Sequence, residues 1–305
     1  MDILFEKICI IGTGLIGSSL ARNIREKKLA RKITGVARSQ KNRDVMLSLG
    51  IADEMFADVA SGVADADCVV LCVPVGTMPE MVKQAVPFLK KGVVLTDVGS
   101  VKGQVVSQIL PLIDSSVEFV PAHPVAGTEK SGAENGFLSL FEGRYGIITP
   151  CGRASRESIE KVRLLWEKCG MKVEEMTPER HDMVMAVVSH LPHLIAYSIV
   201  ATAADMEEEN RDEVIRYCAG GFRDFTRIAG SDPVMWRDIF LTNSEAVLDV
   251  LQRFNEDLTL LQKAIRKGDG AVLEQVFSRT RAIRRDVIEA RQAVTENEKI
   301  LLQKD

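Results

Sequence analysis

The sequence predicts an α/β fold in which an N-terminal doubly wound parallel sheet, residues 1–175, is followed by an all-α C-terminal domain, residues 176–305. Three observations carry this. A G-x-G-x-x-G loop, Gly12-Thr13-Gly14-Leu15-Ile16-Gly17, follows the apolar run Ile8 to Ile11. Short apolar runs then alternate with helix-length stretches as far as Glu175, the pattern of βαβ units covered on both faces. Beyond Glu175 the strand signal vanishes and long helical patterns take over.

In chain order, strands are expected at Ile8 to Ile11, Ile33 to Ala37, Cys68 to Val73, Val93 to Thr96, Phe119 to Pro121 and Tyr145 to Thr149. The helix after the first strand rests on Ile16, Leu20 and Ile24, whose spacing of four places one apolar stripe against the sheet. A further helix follows Ser100 and another runs from Ser155 to Cys169. Thr177-Pro178-Glu179 reads as an N-cap with proline at the first helical position, opening a helix to about Asp205 that Pro192 interrupts. Pro233 to Phe240, Ser244 to Arg266 and Gly270 to Thr295 complete a bundle of the kind that packs across a dimer axis.

The net charge of -4 excludes a nucleic-acid footprint, since no basic stripe is present to displace counterions from phosphates. Nothing at the N-terminus reads as a signal peptide, and Ile8 to Ile11 is far shorter than a membrane span. The cysteines, Cys9, Cys68, Cys72, Cys151, Cys169 and Cys218, lack C-x-x-C spacing and read as buried thiols in a reducing cytoplasm.

The glycine loop sits between a strand and a helix, the context in which it binds a dinucleotide. Gly12 permits the tight turn, Gly14 admits a pyrophosphate to the backbone, and Gly17 allows close helix-strand packing. Leu15 and Ile16 belong to the same Rossmann-type cofactor site, as do Val73, Pro74 and Asp97 at later strand ends. An NAD site usually carries an acid after the second strand, but here Ala37 stands there, followed by Arg38 and Ser39. A missing carboxylate and an available guanidinium suit a 2′-phosphate, so NAD(P)+ is expected with NADP+ slightly favoured.

Ser100 and His123 follow consecutive expected strands and can converge beside a nicotinamide. Taken alone, His123 is as readily structural as catalytic, and Ser100 reads more often as the N-cap of the next helix. His190 and His193, three apart in Ser189-His190-Leu191-Pro192-His193, share a helical face and form a pocket wall. With no thiolate or carboxylate partner at ligand spacing they make a poor zinc site, and no metal is expected. His181 reads as a surface or packing residue. Arg227, among Phe222, Phe225 and Ile228, requires an anionic partner, either Asp224 or a substrate carboxylate.

Taken in order, Gly12 to Gly17, Asp97-Val98-Gly99-Ser100-Val101-Lys102, His123-Pro124-Val125-Ala126-Gly127-Thr128-Glu129, Ser189 to His193, and Phe222 to Ala229 with Ser231-Asp232-Pro233-Val234-Met235-Trp236 closely resemble the prephenate/arogenate (cyclohexadienyl) dehydrogenase family of tyrosine biosynthesis. The expected form is the minimal one, without chorismate-mutase or regulatory small-molecule domain. The resemblance implies a cytoplasmic homodimer that oxidatively decarboxylates prephenate or arogenate. It makes His123 the acceptor for the substrate's 4-hydroxyl and Ser100 the group orienting that hydroxyl or the imidazole. It assigns the ring carboxylate to Arg227, the side-chain pocket to Ser189, His190 and His193, and an ionic gate to Glu129 and Asp224. Two other readings stay open: a hydroxyacid- or imine-reducing dehydrogenase of similar architecture, and a non-catalytic NAD(P)-sensing protein.

Overall fold

A computed structural model describes residues 3–128, 132–205, 216 and 220–289. Six parallel strands form the main sheet: β1 (Phe5–Ile11), β2 (Ala30–Val36), β3 (Glu54–Phe56), β4 (Cys68–Leu71), β5 (Val93–Asp97) and β6 (Val117–Val120), in the order β3-β2-β1-β4-β5-β6. Both faces are covered, so β1 reads as a continuous apolar run. Ile8 and Ile10 enter one core with Leu20, Ile24 and Trp166, while Cys9 and Ile11 enter the other with Val82 and Phe119. The helices on the sheet are α1 (Leu15–Lys27), α2 (Gln40–Ser48), α3 (Val59–Val63), α4 (Met78–Ala85) and α5 (Gly103–Ile109). The strand order reverses between β1 and β4, and such a switch point opens a crevice at the strands' carboxyl ends.

A second sheet, which the sequence reading merges with the first, comprises β7 (Ala122–Pro124), β8 (Tyr145–Ile148) and β9 (Lys172–Glu175), in the order β7-β8-β9. The expected strand at Phe119 to Pro121 ends early. Pro121 has no N–H to continue the β6 ladder, and the chain turns there to pair His123 with Ile147 in the second sheet. The helix α6 (Arg156–Lys168) lies between β8 and β9 and is capped by Ser155, whose side chain accepts from Ser158 N.

The long helix after β9 begins as expected, with the Thr177 side chain accepting from Arg180 N at 3.2 Å and Pro178 in the first turn. It runs as α7 (Pro178–Met185), a π-helical turn (Ala186–His190) and α8 (Leu191–Ala204). The wider turn precedes Pro192, the residue that cannot donate to the ladder, and π-turns of this kind recur at functional sites. By length and composition the 178–204 stretch is apolar enough to cross a membrane, although only 22% of it is buried here and it carries buried His181, Asp182 and His190. The remaining α-helices among the described residues are α9 (Gly220–Thr226), α10 (Pro233–Thr242), α11 (Ser244–Lys267) and α12 (Gly270–Glu289). Asp232 caps α10 by accepting from Met235 N at 2.8 Å.

The chain divides into two compact units, Met1–Val247 and Leu248–Asp305. Within the first, Asp182 of α7 is hydrogen-bonded to the start of α5, which fixes α7 to the sheet. Large apolar side chains of the second unit, among them Leu260, Ile265 and Phe277, are exposed.

Candidate active site

The switch-point crevice is built from backbone. Gly12 has φ 97°, and a Cβ there would overlap the carbonyl of Cys72 and the side chain of Val73. A Cβ on Gly17 would overlap the carbonyl oxygen of Gly12, so α1 lies directly against the end of β1. Around Gly14, by contrast, no atom lies within 4 Å of where a Cβ would stand. The N-terminus of α1 has no side-chain cap and no acid in its first turn, and the Thr13 hydroxyl is buried without a partner among the described residues. A cradle open at Gly14, with free helix amides and an unpaired hydroxyl, fits a dinucleotide pyrophosphate. Leu15 and Ile16 have only their amides to offer such a ligand, their side chains packing into the core. Val73 and exposed Pro74 close the loop's other side, the Pro74 carbonyl accepting from Thr77 N and Oγ1.

At the end of β2, Ala37 is buried and Arg38 exposed. The Ser39 hydroxyl caps α2, accepting from Asn42 N at 3.4 Å. Arg43, which the sequence reading passes over, donates to the carbonyls of Ala37 at 2.6 Å and Arg38 at 2.9 Å. This edge therefore carries two guanidinium groups and no acid where a ribose-binding carboxylate would stand.

Asp97 requires a correction. Its carboxylate is fully buried and committed, accepting from Gly99 N at 2.8 Å and Ala122 N at 3.2 Å and forming a buried ion pair with Lys102. Lys102 Nζ also donates to Ala122 O at 2.8 Å. The pair ties β5 to β7 and so positions His123; the Asp97 carboxylate is not presented to a cofactor.

His123 lies in β7 with 9% of its surface exposed. Its Nδ1 is 2.8 Å from His181 Nε2, and His181 Nδ1 is 2.8 Å from Asp182 Oδ1. His181, expected at the surface or in simple packing, is thus fully buried at the centre of the site. Asp182 is itself anchored, Oδ1 accepting from Lys102 N at 2.7 Å and Oδ2 from Gly103 N at 2.8 Å. Burial, then the neighbouring His181 and Lys102, hold the His123 imidazole well below its ordinary pKa, so it is neutral. Ser100 is half-buried after β5 and its hydroxyl makes no hydrogen bond among the described residues. The imidazole is held by His181 rather than by Ser100, and Ser100 is not the α5 N-cap, the place of which belongs to Lys102.

A second cluster forms around the π-turn. Asn243 Nδ2 donates to Asp182 O at 2.9 Å and lies 3.0 Å from His190 Nδ1. His190 is 1% exposed, and burial lowers its pKa to about 4. Nδ1 accepts from Asn243, so the proton is on Nε2, which is buried with no partner among the described residues. His193 donates from Nδ1 to the Ser189 carbonyl at 2.8 Å and stacks on Trp236 at 3.6 Å between ring centroids. Trp236 Nε1 is likewise buried and unpartnered among the described residues. Trp236 lies in a sequence motif that by itself gives it no role, and Asn243 lies in none. Arg227 is exposed in this chain rather than desolvated, yet lies near enough for its charge to help lower the His193 pKa, after burial as the main cause. Asp224 is exposed, 3.9 Å from Arg223. Glu129 lies outside the described residues. No cluster of three metal-ligating side chains occurs among the described residues.

A glycine loop at a switch point, together with a buried neutral imidazole in the same unit, points to a dinucleotide-dependent dehydrogenase. The family described as prephenate dehydrogenase, nucleotide-binding domain, matches residues 20–175, and prephenate dehydrogenase, dimerization domain, matches 177–279. The chain belongs to the prephenate dehydrogenase family. It is 38% identical to the cyclohexadienyl dehydrogenase of Zymomonas mobilis, covering 92% of this chain and 96% of that one. With the prephenate dehydrogenase of Bacillus subtilis it shares 34% identity, over 91% of this chain and 75% of that one. The crystal structure of Aquifex aeolicus prephenate dehydrogenase in complex with hydroxyphenyl propionate and NAD+ superposes with a TM-score of 0.86 at 36% identity, covering 94% of this chain and 99% of that one.

Proposed function

We propose that this protein oxidatively decarboxylates prephenate to 4-hydroxyphenylpyruvate as a step of tyrosine biosynthesis, and that arogenate is at most a secondary substrate. The observation that carries the reading is the buried, neutral His123, one nitrogen of which is held by His181 while the other is left for a ligand. The bound nicotinamide supplies the acceptor for the hydride that leaves ring C4. His123 accepts the proton of the 4-hydroxyl, Ser100 orients that hydroxyl, and the C1 carboxylate departs as CO2 while the ring becomes aromatic. Arg227 binds the ring carboxylate, with Asp224 and Glu129 as its ionic gate.

Preference for prephenate rests on the side-chain pocket. His190 Nε2–H and Trp236 Nε1–H are buried donors without acceptors among the described residues, which suits a keto-acid and offers nothing to an ammonium. NADP+ is accepted alongside NAD+ and slightly preferred, because Ala37 replaces the ribose-binding acid and Arg38 is exposed beside it. The protein works as a homodimer through its helical part, consistent with the dimerization-domain match and with the exposed apolar side chains of 178–204, Val187, Val188 and Ile199 among them. Free cysteines at all five described positions accord with a reducing cytoplasm.

The deciding experiment assays purified protein with prephenate and arogenate, each against NAD+ and NADP+, following the reduced nicotinamide. Prephenate with NADP+ should give the highest kcat/KM. A higher value with arogenate overturns the substrate reading, and tight dinucleotide binding without turnover would favour a sensing protein.

A further inference from the structure

We propose that His181 and Asp182 are positioning residues that fix His123 in the tautomer whose Nε2 is bare, making it a base before substrate arrives. The proposal rests on the assignment of His123 as the proton acceptor, and it follows from who can donate to whom. An ionised carboxylate only accepts, so His181 must place its proton on Nδ1 to bond Asp182 Oδ1 at 2.8 Å. His181 is fully buried, and burial keeps it neutral, which leaves its Nε2 as an acceptor. His123 must then donate from Nδ1 across the 2.8 Å contact, and its Nε2 carries the lone pair. Without His181 the two tautomers of a buried imidazole would compete, and the one with a proton on Nε2 cannot accept from a hydroxyl.

The anchoring of Asp182 makes the arrangement rigid. Both its oxygens also accept backbone N–H groups, from Lys102 and Gly103, and its own carbonyl accepts from Asn243. The relay joins α7 to β7 through side chains 58 residues apart in sequence, with the rings edge to face at 5.1 Å. In turnover the substrate hydroxyl proton moves to His123 Nε2 as hydride leaves C4, and returns to the same oxygen when loss of CO2 makes the ring aromatic, so Nε2 is bare again as product departs. Meanwhile the positive charge on His123 is stabilised through His181 by the Asp182 carboxylate. Opposing that charge are burial first, then His181 itself, Lys102, neutralised in part by Asp97, and His190.

Two variants and one spectrum test this. His181→Phe removes the acceptor, whereas His181→Gln can put its Oε1 where Nε2 was. The expected result is a fall in kcat of about 10²-fold or more for Phe, with KM and dinucleotide affinity changed by less than about threefold, and recovery to within about tenfold of wild type for Gln. Histidine-selective ¹⁵N NMR has only four rings to assign. It should report His123 at pH 7 with the proton on Nδ1 in wild type and in His181→Gln, and a mixture in His181→Phe. Wild-type His123 with its proton on Nε2, or a His181→Phe enzyme with normal kcat, would overturn the proposal. The wild-type spectrum decides even where the Phe variant does not fold. It also needs no turnover, so failure of the proposed reaction would be recognised separately as inactivity on both substrates.

Discussion

The candidate dinucleotide crevice and the proposed acid-base centre are built from different materials. The crevice is mostly backbone: Gly12 and Gly17 let strand and helix touch, Gly14 leaves room, and α1 presents uncapped amides. The centre is side chains, His123, His181 and Asp182, held by β7 and α7 and braced by the Lys102–Asp97 pair. A site made of backbone depends on what is missing from a few consecutive residues. A site made of side chains depends on what distant residues supply. The two should therefore fail in different ways.

The largest effect is expected in the centre. His123→Asn removes the proposed proton acceptor and should lower kcat by roughly 10²–10⁴-fold, leaving dinucleotide affinity as it was. Steady-state kinetics with a parallel binding titration checks this, and an unchanged kcat removes His123 from the mechanism.

In the crevice, two glycines separate folding from binding. Gly17→Ala drives a methyl into the Gly12 carbonyl and should destabilise the fold by about 1–3 kcal/mol. Gly14 has an ordinary φ of −76° and open space around it, so Gly14→Ala should leave the thermal midpoint unchanged or slightly raised while weakening dinucleotide binding about tenfold or more. Calorimetry and titration on the same samples test both, and a Gly14→Ala protein with normal affinity would place the pyrophosphate elsewhere. Smaller still is the effect at the β2 edge, where Ala37→Asp should move the NADP+/NAD+ preference toward NAD+ by about one to two powers of ten. A ratio that does not move dissociates Ala37 from the 2′-position.

The same contrast explains what the sequence discloses. Five strands of the main sheet, the glycine loop and the helix starts at Pro178 and Pro233 are local patterns, legible because a few neighbouring residues decide them, whereas the sixth, β3 (Glu54–Phe56), is three residues long and is not among the expected strands. The second sheet is less so: β7 is three residues long and β9, Lys172–Glu175, is largely exposed, so neither has an apolar run to announce it. His181 follows the same rule. Nothing within its own turn tells that it will meet His123 from β7; only the adjacent Asp182, an acid beside a histidine in a helix start, hints at a partnered imidazole. Asp97 misleads in the opposite sense, since a carboxylate at a strand end resembles a ligand until Lys102 is seen to neutralise it.

The buried centre and bulk water treat a histidine differently, and pH exposes the difference. Burial lowers the pKa of every histidine in the chain, His190 to about 4, and His123 well below its usual value. In the unfolded chain these rings titrate near pH 6.5. As pH falls below that value the unfolded state takes up protons that the folded state refuses, so the stability contributed by neutral histidines is fully present above about pH 6.5 and is lost progressively as pH descends toward the folded values. The thermal midpoint should therefore fall by about 5 °C or more between pH 7 and pH 5, with little change between pH 7 and pH 8. Activity should follow a different curve. His123 is already neutral at pH 6.5, so the acid limb of kcat/KM should lie below the ordinary histidine range, with a plateau through pH 6.5–8. A limb centred at pH 6.5–7 would mean that the base charges as easily as an exposed imidazole, and the buried centre would not be the one that takes the proton.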